Sequence, residues 1–164
     1  MARKRAKTNA MRMLEARGIA YVAHYFPPEI HSAQGVADEV GLPAAQVFKT
    51  LVVVPGKASG GGEALLAIVP GDRELDLKKL DRASGEKRLR MASQREAESL
   101  TGLRVGGISA LALLHEGFEV FLDASVADHS EILVSAGQRG INVQIAADDL
   151  VKLTGAHVCP ISRL

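Results

Sequence analysis

Two apolar runs, TLVVV over 50–54 and ALLAIVP over 64–70, lie one glycine-rich tract apart in a 164-residue chain. Both are continuous rather than alternating and rich in Val, Ile and Leu. That is the pattern of strands buried on both faces. A sheet containing two such strands must be covered above and below, so neither a bare two-layer hairpin nor an all-helical bundle accommodates them. Pro55-Gly56 and SGGGE (59–63) between the runs read as a loop, and the pair as a hairpin with a flexible tip.

Short helices punctuate the remaining segments. A helix is expected over 9–17, capped by Thr8 or Asn9 and stopped by Gly18. IAYVAHYF (19–26) reads as a strand that Pro27-Pro28 ends. Ser32 caps a helix over 33–40 with Gly41 past its end, and Pro43 opens a short turn or helix. Asp76 caps a basic helix carrying Leu77, Leu80 and Ala83. Ser93 and Glu96 form a capping box, starting a helix at Gln94 that ends at Gly102. FEVFLD (118–123), EILVSA (131–136) and INVQIA (141–146) are strand candidates, with GQRG (137–140) turning between the last two. Asp148 or Asp149 is expected to begin a final helix that stops at Gly155, and HVCPI (157–161) to add an edge strand. Together these predict a mixed α/β fold. The length suits one domain over 1–164, with 1–7 as a mobile basic tail.

Composition narrows the class. No apolar run approaches the roughly 20 residues of a membrane span. MARKRAKTNAMRML lacks the apolar core of a secretory signal, and one Cys excludes an internal disulfide framework. A cytoplasmic protein with no membrane association is expected. Net charge is only +1, yet 13 of the 20 Lys and Arg residues fall within 3–17 and 78–95. These zones are either solvated helix faces or a surface that attracts a polyanion.

Three segments could carry chemistry. In QVFKTLVV, Lys49 stands at the entrance of a buried strand beside Thr50. It either snorkels to water or holds its charge at a cleft, where it would bind phosphate or a carbonyl oxygen strongly. In RVGGISAL (104–111), paired glycines make a plain turn, or a loop whose N–H groups cradle an oxyanion. In SAGQRGINV (135–143), Arg139 is a solvated hairpin arginine or a clamp on phosphate or ribose. His24, His31, His115, His129 and His157 are scattered, with neither HExxH nor a Cys-pair zinc spacing, and no GxSxG occurs. Cys159 reads as packing. No cofactor and no metal are expected.

KTNAMRML (7–14), QVFKTLVV (46–53), LDLKKL (75–80), TGLRVGGIS (101–109), VSAGQRG (134–140) and INVQIAADDL (141–150), in this order, resemble the YbaK/ProX family of trans-editing aminoacyl-tRNA deacylases. The same domain occurs inserted in some prolyl-tRNA synthetases. The resemblance implies a mixed β-sheet or barrel-like core flanked by short helices. It implies a cleft for the acceptor end of an aminoacylated tRNA, most often Cys-tRNA(Pro), with Ala-tRNA(Pro) or a non-catalytic tRNA- or synthetase-binding module as alternatives. Lys49 becomes the lysine of deacylation, with Thr50 beside it. Phe26, Gly106, Gly107, Ile108, Ser109, Ser135, Gly137, Arg139 and Asn142 become the binding residues. Prolyl-tRNA synthetase becomes a partner. The chain departs from the family at Phe26, where Tyr is common, at Ala110, where Pro is common, and at Asn142, where some members carry an acid. With 4% aromatics no stacking platform for single strands is expected, hence weak intrinsic tRNA affinity.

Overall fold

The computed structural model describes residues 6–56 and 63–164. The expected flexible tip at 59–63 lies almost wholly outside the described residues, as does most of the expected tail. Of that tail, Ala6 accepts a hydrogen bond from the Tyr25 hydroxyl and Lys7 pairs with Glu15 at 2.7 Å.

Five helices and ten strands follow in the order α1 (Asn9–Ala16), β1 (Tyr21–Tyr25), α2 (Ala33–Val40), β2 (Phe48–Pro55), β3 (Leu65–Pro70), β4 (Glu74–Leu75), α3 (Leu77–Ser84), β5 (Leu89–Met91), α4 (Gln94–Thr101), β6 (Glu119–Asp123), β7 (Glu131–Gln138), β8 (Ile141–Ala146), α5 (Ala147–Thr154), β9 (His157–Cys159) and β10 (Ser162–Arg163). A five-stranded mixed sheet runs β5-β2-β3-β6-β9, antiparallel through β5, β2 and β3 and parallel from β3 to β9. A three-stranded antiparallel sheet runs β1-β8-β7. One parallel bridge, Val47 to Leu133, joins the two sheets. The mixed α/β architecture is as the sequence predicts.

The two apolar runs pair as β2–β3, and their alternation divides the core. Val52, Leu66 and Ile68 face a large cluster that includes Ile132, Val143 and Ile145 of the second sheet, with Met11 and Leu14 of α1. Val53, Leu65, Ala67 and Val69 face a separate cluster with Leu80 of α3, Phe121 and Ile161. Continuous hydrophobicity is thus required, since each face meets its own core.

Helix starts follow capping chemistry. Thr8, Ser32, Asp76 and Ser93 each accept backbone N–H bonds at an N-terminus, each contributing about 1 kcal/mol. Four helices end on a left-handed glycine, at 41, 85, 102 and 155. The start of α5 differs from expectation. It begins at Ala147, with Asp148 and Asp149 already inside its first turn and no side-chain cap. β8 runs straight into it, and the Ala147 N–H instead reaches the Ser130 carbonyl at 2.9 Å. The acidic pair still suits that end of the helix dipole. The GQRG turn is also shorter than predicted: β7 continues through Gly137 and Gln138 by way of a bulge between Ser135 and Gln138. β4, β5 and β10 carry no signal that their two or three residues could provide. Among the described residues no helix is long and apolar enough to cross a membrane.

Candidate functional site

β2 passes from β3 to β5 along its length and is paired with both at Val53. Its first half is paired with β3 alone. Val52 accepts from the Ala92 N–H at 3.0 Å on the β5 side, and Val47 accepts from the Gly71 N–H at 2.7 Å on the β3 side. Backbone groups alternate sides along a strand, so Thr50 turns its N–H and carbonyl away from β3. There β5 has not yet begun, and β7 bridges to this segment only at Val47. The sheets separate, and a cavity of about 450 Å³ opens in the gap.

The walls of this cavity bring together seven of the predicted residues. β2 supplies Lys49 and Thr50, the turn after α4 supplies Gly106 and Ile108, and β7 and β8 supply Ser135 and Asn142, which lie opposite each other in register. Phe26, just past β1, closes one end. Asn142 is buried in the cavity wall. The Ser135 hydroxyl accepts from the Gly137 N–H at 3.1 Å and so holds the bulge that shapes this wall. Gly137 has φ +100, a conformation that favours glycine.

No Asp, Glu or Cys lines this cavity, and among the described residues the Lys49 ammonium has neither a salt bridge nor a hydrogen bond. Lys49 is the one Lys or Arg in a cavity lining that is otherwise mostly apolar. An anion or a developing oxyanion is stabilised there more than in bulk water. Lys49 is a half-buried residue in the part of the strand that is paired with β3 alone.

The other predicted residues fall elsewhere. Gly107, Gly137 and Arg139 line a second cavity of about 600 Å³, on the far side of the glycine turn. The Gly107 N–H is already used, donating to the Arg104 carbonyl at 2.8 Å. It is therefore not the free oxyanion donor that the paired glycines suggest. Ser109 lines neither cavity; it is 1% exposed, and its hydroxyl accepts from the Ala112 N–H at 3.2 Å. That hydroxyl is engaged by the backbone, in keeping with an irregular stretch, 103–118, that must satisfy its own polar groups. Ala110 is buried in the large core.

Sequence reasoning overlooked His31, which lines both cavities, and Gln34, Met91 and Gln94 at the first. Met91 is a large apolar side chain left 41% exposed at the mouth, a signal visible only once the fold is known. Three of the remaining histidines are engaged separately: His24 with Gln144 at 2.9 Å, His129 edge-on to Phe48, His157 against Phe121. Burial, aided by the Asp123 carboxylate, pushes the Cys159 thiol up, away from its reactive thiolate form.

Residues 27–153 match the family model described as an aminoacyl-tRNA editing domain. Over 99% of its length the chain is 37% identical to 98% of the Enterococcus faecalis (strain ATCC 700802 / V583) protein named "Putative Cys-tRNA(Pro)/Cys-tRNA(Cys) deacylase EbsC". It is 32% identical over 71% of its length to a proline–tRNA ligase of Anaeromyxobacter sp. (strain Fw109-5), where the match takes up 19% of that enzyme. Among solved structures, one described as "a putative trans-editing enzyme for prolyl tRNA synthetase" superposes with a TM-score of 0.78 at 28% identity, covering 97% of this chain and all of that one.

Proposed function

The chain belongs to the aminoacyl-tRNA editing domain family, and from that premise we propose that it hydrolyses mischarged tRNA(Pro) in trans, with Cys-tRNA(Pro) as its principal substrate. The observation that carries this reading is the unneutralised Lys49 in the wall of a cavity without carboxylates. Such a site offers no carboxylate and no cysteine, and although His31, Ser32 and Ser135 line it, no serine is hydrogen-bonded to a histidine among the described residues. It suits a substrate that is already activated. An aminoacyl ester is one: it needs orientation and a stabilised oxyanion, and its own neighbouring groups can do the rest.

In this mechanism the terminal adenosine enters the gap between the sheets, and the ester lies beside Lys49. The ammonium stabilises the charge that develops on the carbonyl oxygen. The outward-facing N–H and carbonyl of Thr50 are positioned to bond the aminoacyl unit or the base, and the Thr50 hydroxyl assists. Asn142 and Ser135 line the opposite side, while Gly106 and Ile108 limit the room left for the amino-acid side chain. For a cysteinyl ester the substrate thiol attacks its own carbonyl, its proton passes to the departing ribose oxygen, and the thiolactone so formed takes up water to give cysteine. For an alanyl ester a water takes the place of the thiol. A pocket discriminates single methylenes by only about 1–3 kcal/mol, so reactivity of the substrate itself contributes to selection. Prolyl-tRNA synthetase is the partner that this substrate implies.

Purified protein tested against a panel of charged tRNAs should release cysteine from tRNA(Pro) fastest, and Lys49→Ala should slow turnover by about 100- to 1,000-fold while leaving the melting temperature unchanged. Release of alanine instead would redirect the substrate assignment. Binding of charged tRNA without release of any amino acid would make the chain a non-catalytic module.

A further inference from the structure

The second cavity has a different character from the first. Arg104, Arg139 and His31 contribute to its walls, and Glu29 is the only carboxylate lining it among the described residues. Neither arginine is in a salt bridge with a described residue. The nearby Glu98 carboxylate is engaged by the Val105 N–H at 2.8 Å. Arg139 is half-buried and held rather than free: its Nε donates to the Val105 carbonyl at 2.7 Å, leaving the terminal nitrogens of the guanidinium for another acceptor.

The glycine turn lies between the two cavities, with the Arg139 side chain and the His31 ring about 3.4 Å from where a Cβ on Gly106 would stand. Gly106 faces the Lys49 cavity and Gly107 the arginine cavity, with His31 shared at the junction. A Cβ on Gly107 would stand 2.9 Å from the Arg139 backbone nitrogen and 3.0 Å from the Gln138 carbonyl carbon. The turn and the tip of the β7–β8 hairpin therefore pack backbone to backbone, which fixes Arg139 beside the catalytic gap. A volume of about 600 Å³ is within the range of small-molecule sites, roughly 300–1,000 Å³.

We infer that the Arg104–Arg139 cavity is a phosphodiester subsite that takes the sugar-phosphate backbone immediately 5′ to the terminal nucleoside. This rests on the deacylase reading, because it is the ester in the first cavity that fixes which end of the RNA lies there. His31 lines both cavities and Gly106 and Gly107 are consecutive, so a nucleoside seated beside Lys49 has the arginine cavity next to it for its 5′ phosphate. Planar, fork-shaped guanidinium groups with free terminal nitrogens bind phosphate oxygens in pairs. The subsite explains how a chain so poor in aromatics can hold an RNA end: by charge rather than by stacking.

The probe is an uncharged CCA trinucleotide, with adenosine as its control, titrated into the full-length protein and followed by amide and guanidinium NMR shifts. The trinucleotide should shift Gly107 and the Arg139 side chain, and adenosine should shift only groups of the first cavity. Arg104→Glu should weaken the trinucleotide about tenfold without affecting adenosine, and Arg104→Lys should restore much of that affinity. The slope of log affinity against log salt should become shallower by about 0.7 for each phosphate that the variant no longer neutralises. Equal weakening of adenosine, or unchanged trinucleotide affinity in Arg104→Glu, overturns the subsite. Hydrolysis is measured separately: a protein that binds the trinucleotide as described but releases no amino acid loses the deacylase reading and keeps the subsite.

Discussion

β2 is two half-strands with different work. From Val52 to Val54 it is buried, and at Val53 it pairs with both β3 and β5. From Lys49 to Leu51 it is half-exposed, paired with β3 alone, and forms a wall of the cavity. One length of chain, with one secondary structure, thus serves stability at one end and lines a cavity, the proposed site of chemistry, at the other. The division is set by where the neighbouring strand stops. A sheet that splits leaves backbone and side chains free for a ligand, held rigidly by the part that does not split.

The sharpest way to break this division is at its functional end. Lys49→Ala should lower the rate of deacylation by about 100- to 1,000-fold, the cost of losing one oxyanion donor, with an unchanged thermal melt. A large fall in melting temperature would mean that Lys49 belongs with the other half. At the structural end, Val53 is fully buried. Val53→Ala should cost about 2 kcal/mol in denaturant unfolding and leave turnover per folded molecule intact. Gly107→Ala tests the seam between the two cavities. Its Cβ would press on backbone atoms at 2.9 and 3.0 Å, so both stability and activity should fall, stability by about 1–3 kcal/mol. The smallest effect falls just outside the cavity lining. Glu96 is bound to Arg90 and to the Ser93 N–H, which holds its carboxyl down at about 2. In the unfolded chain it takes up a proton at about pH 4.3, so its contribution is present above that pH and is lost as pH falls toward 2. Glu96→Gln should flatten that part of the acid unfolding curve without altering turnover.

Much of the fold was legible because its signals are local. Thr8, Ser32, Asp76 and Ser93 announce helix starts, and the buried strand pair shows in two short windows of sequence. The site was legible in part for another reason: Lys49, Gly106 and Asn142 stand out against their surroundings as a charge, a flexible residue and an amide within an apolar strand. What could not be read depends on distant partners. Gly106 and Gly107 are adjacent in sequence yet face different cavities, because the turn itself is the partition. Ser109 looks like a free hydroxyl until Ala112 folds back onto it. β10 is a strand only because Leu75 is there to pair with Ser162.

The pairing of β1 with β8 has its own consequence for synthesis. Tyr21 lies against Ile145 and Tyr25 against Ile141, so the sheet that holds Ser135 and Asn142 cannot close until nearly all of these 164 residues have left the ribosome. Chains with such non-local pairing fold late and slowly. A truncated product that retains Lys49 and the glycine turn would lack the opposing wall that Ser135 and Asn142 form.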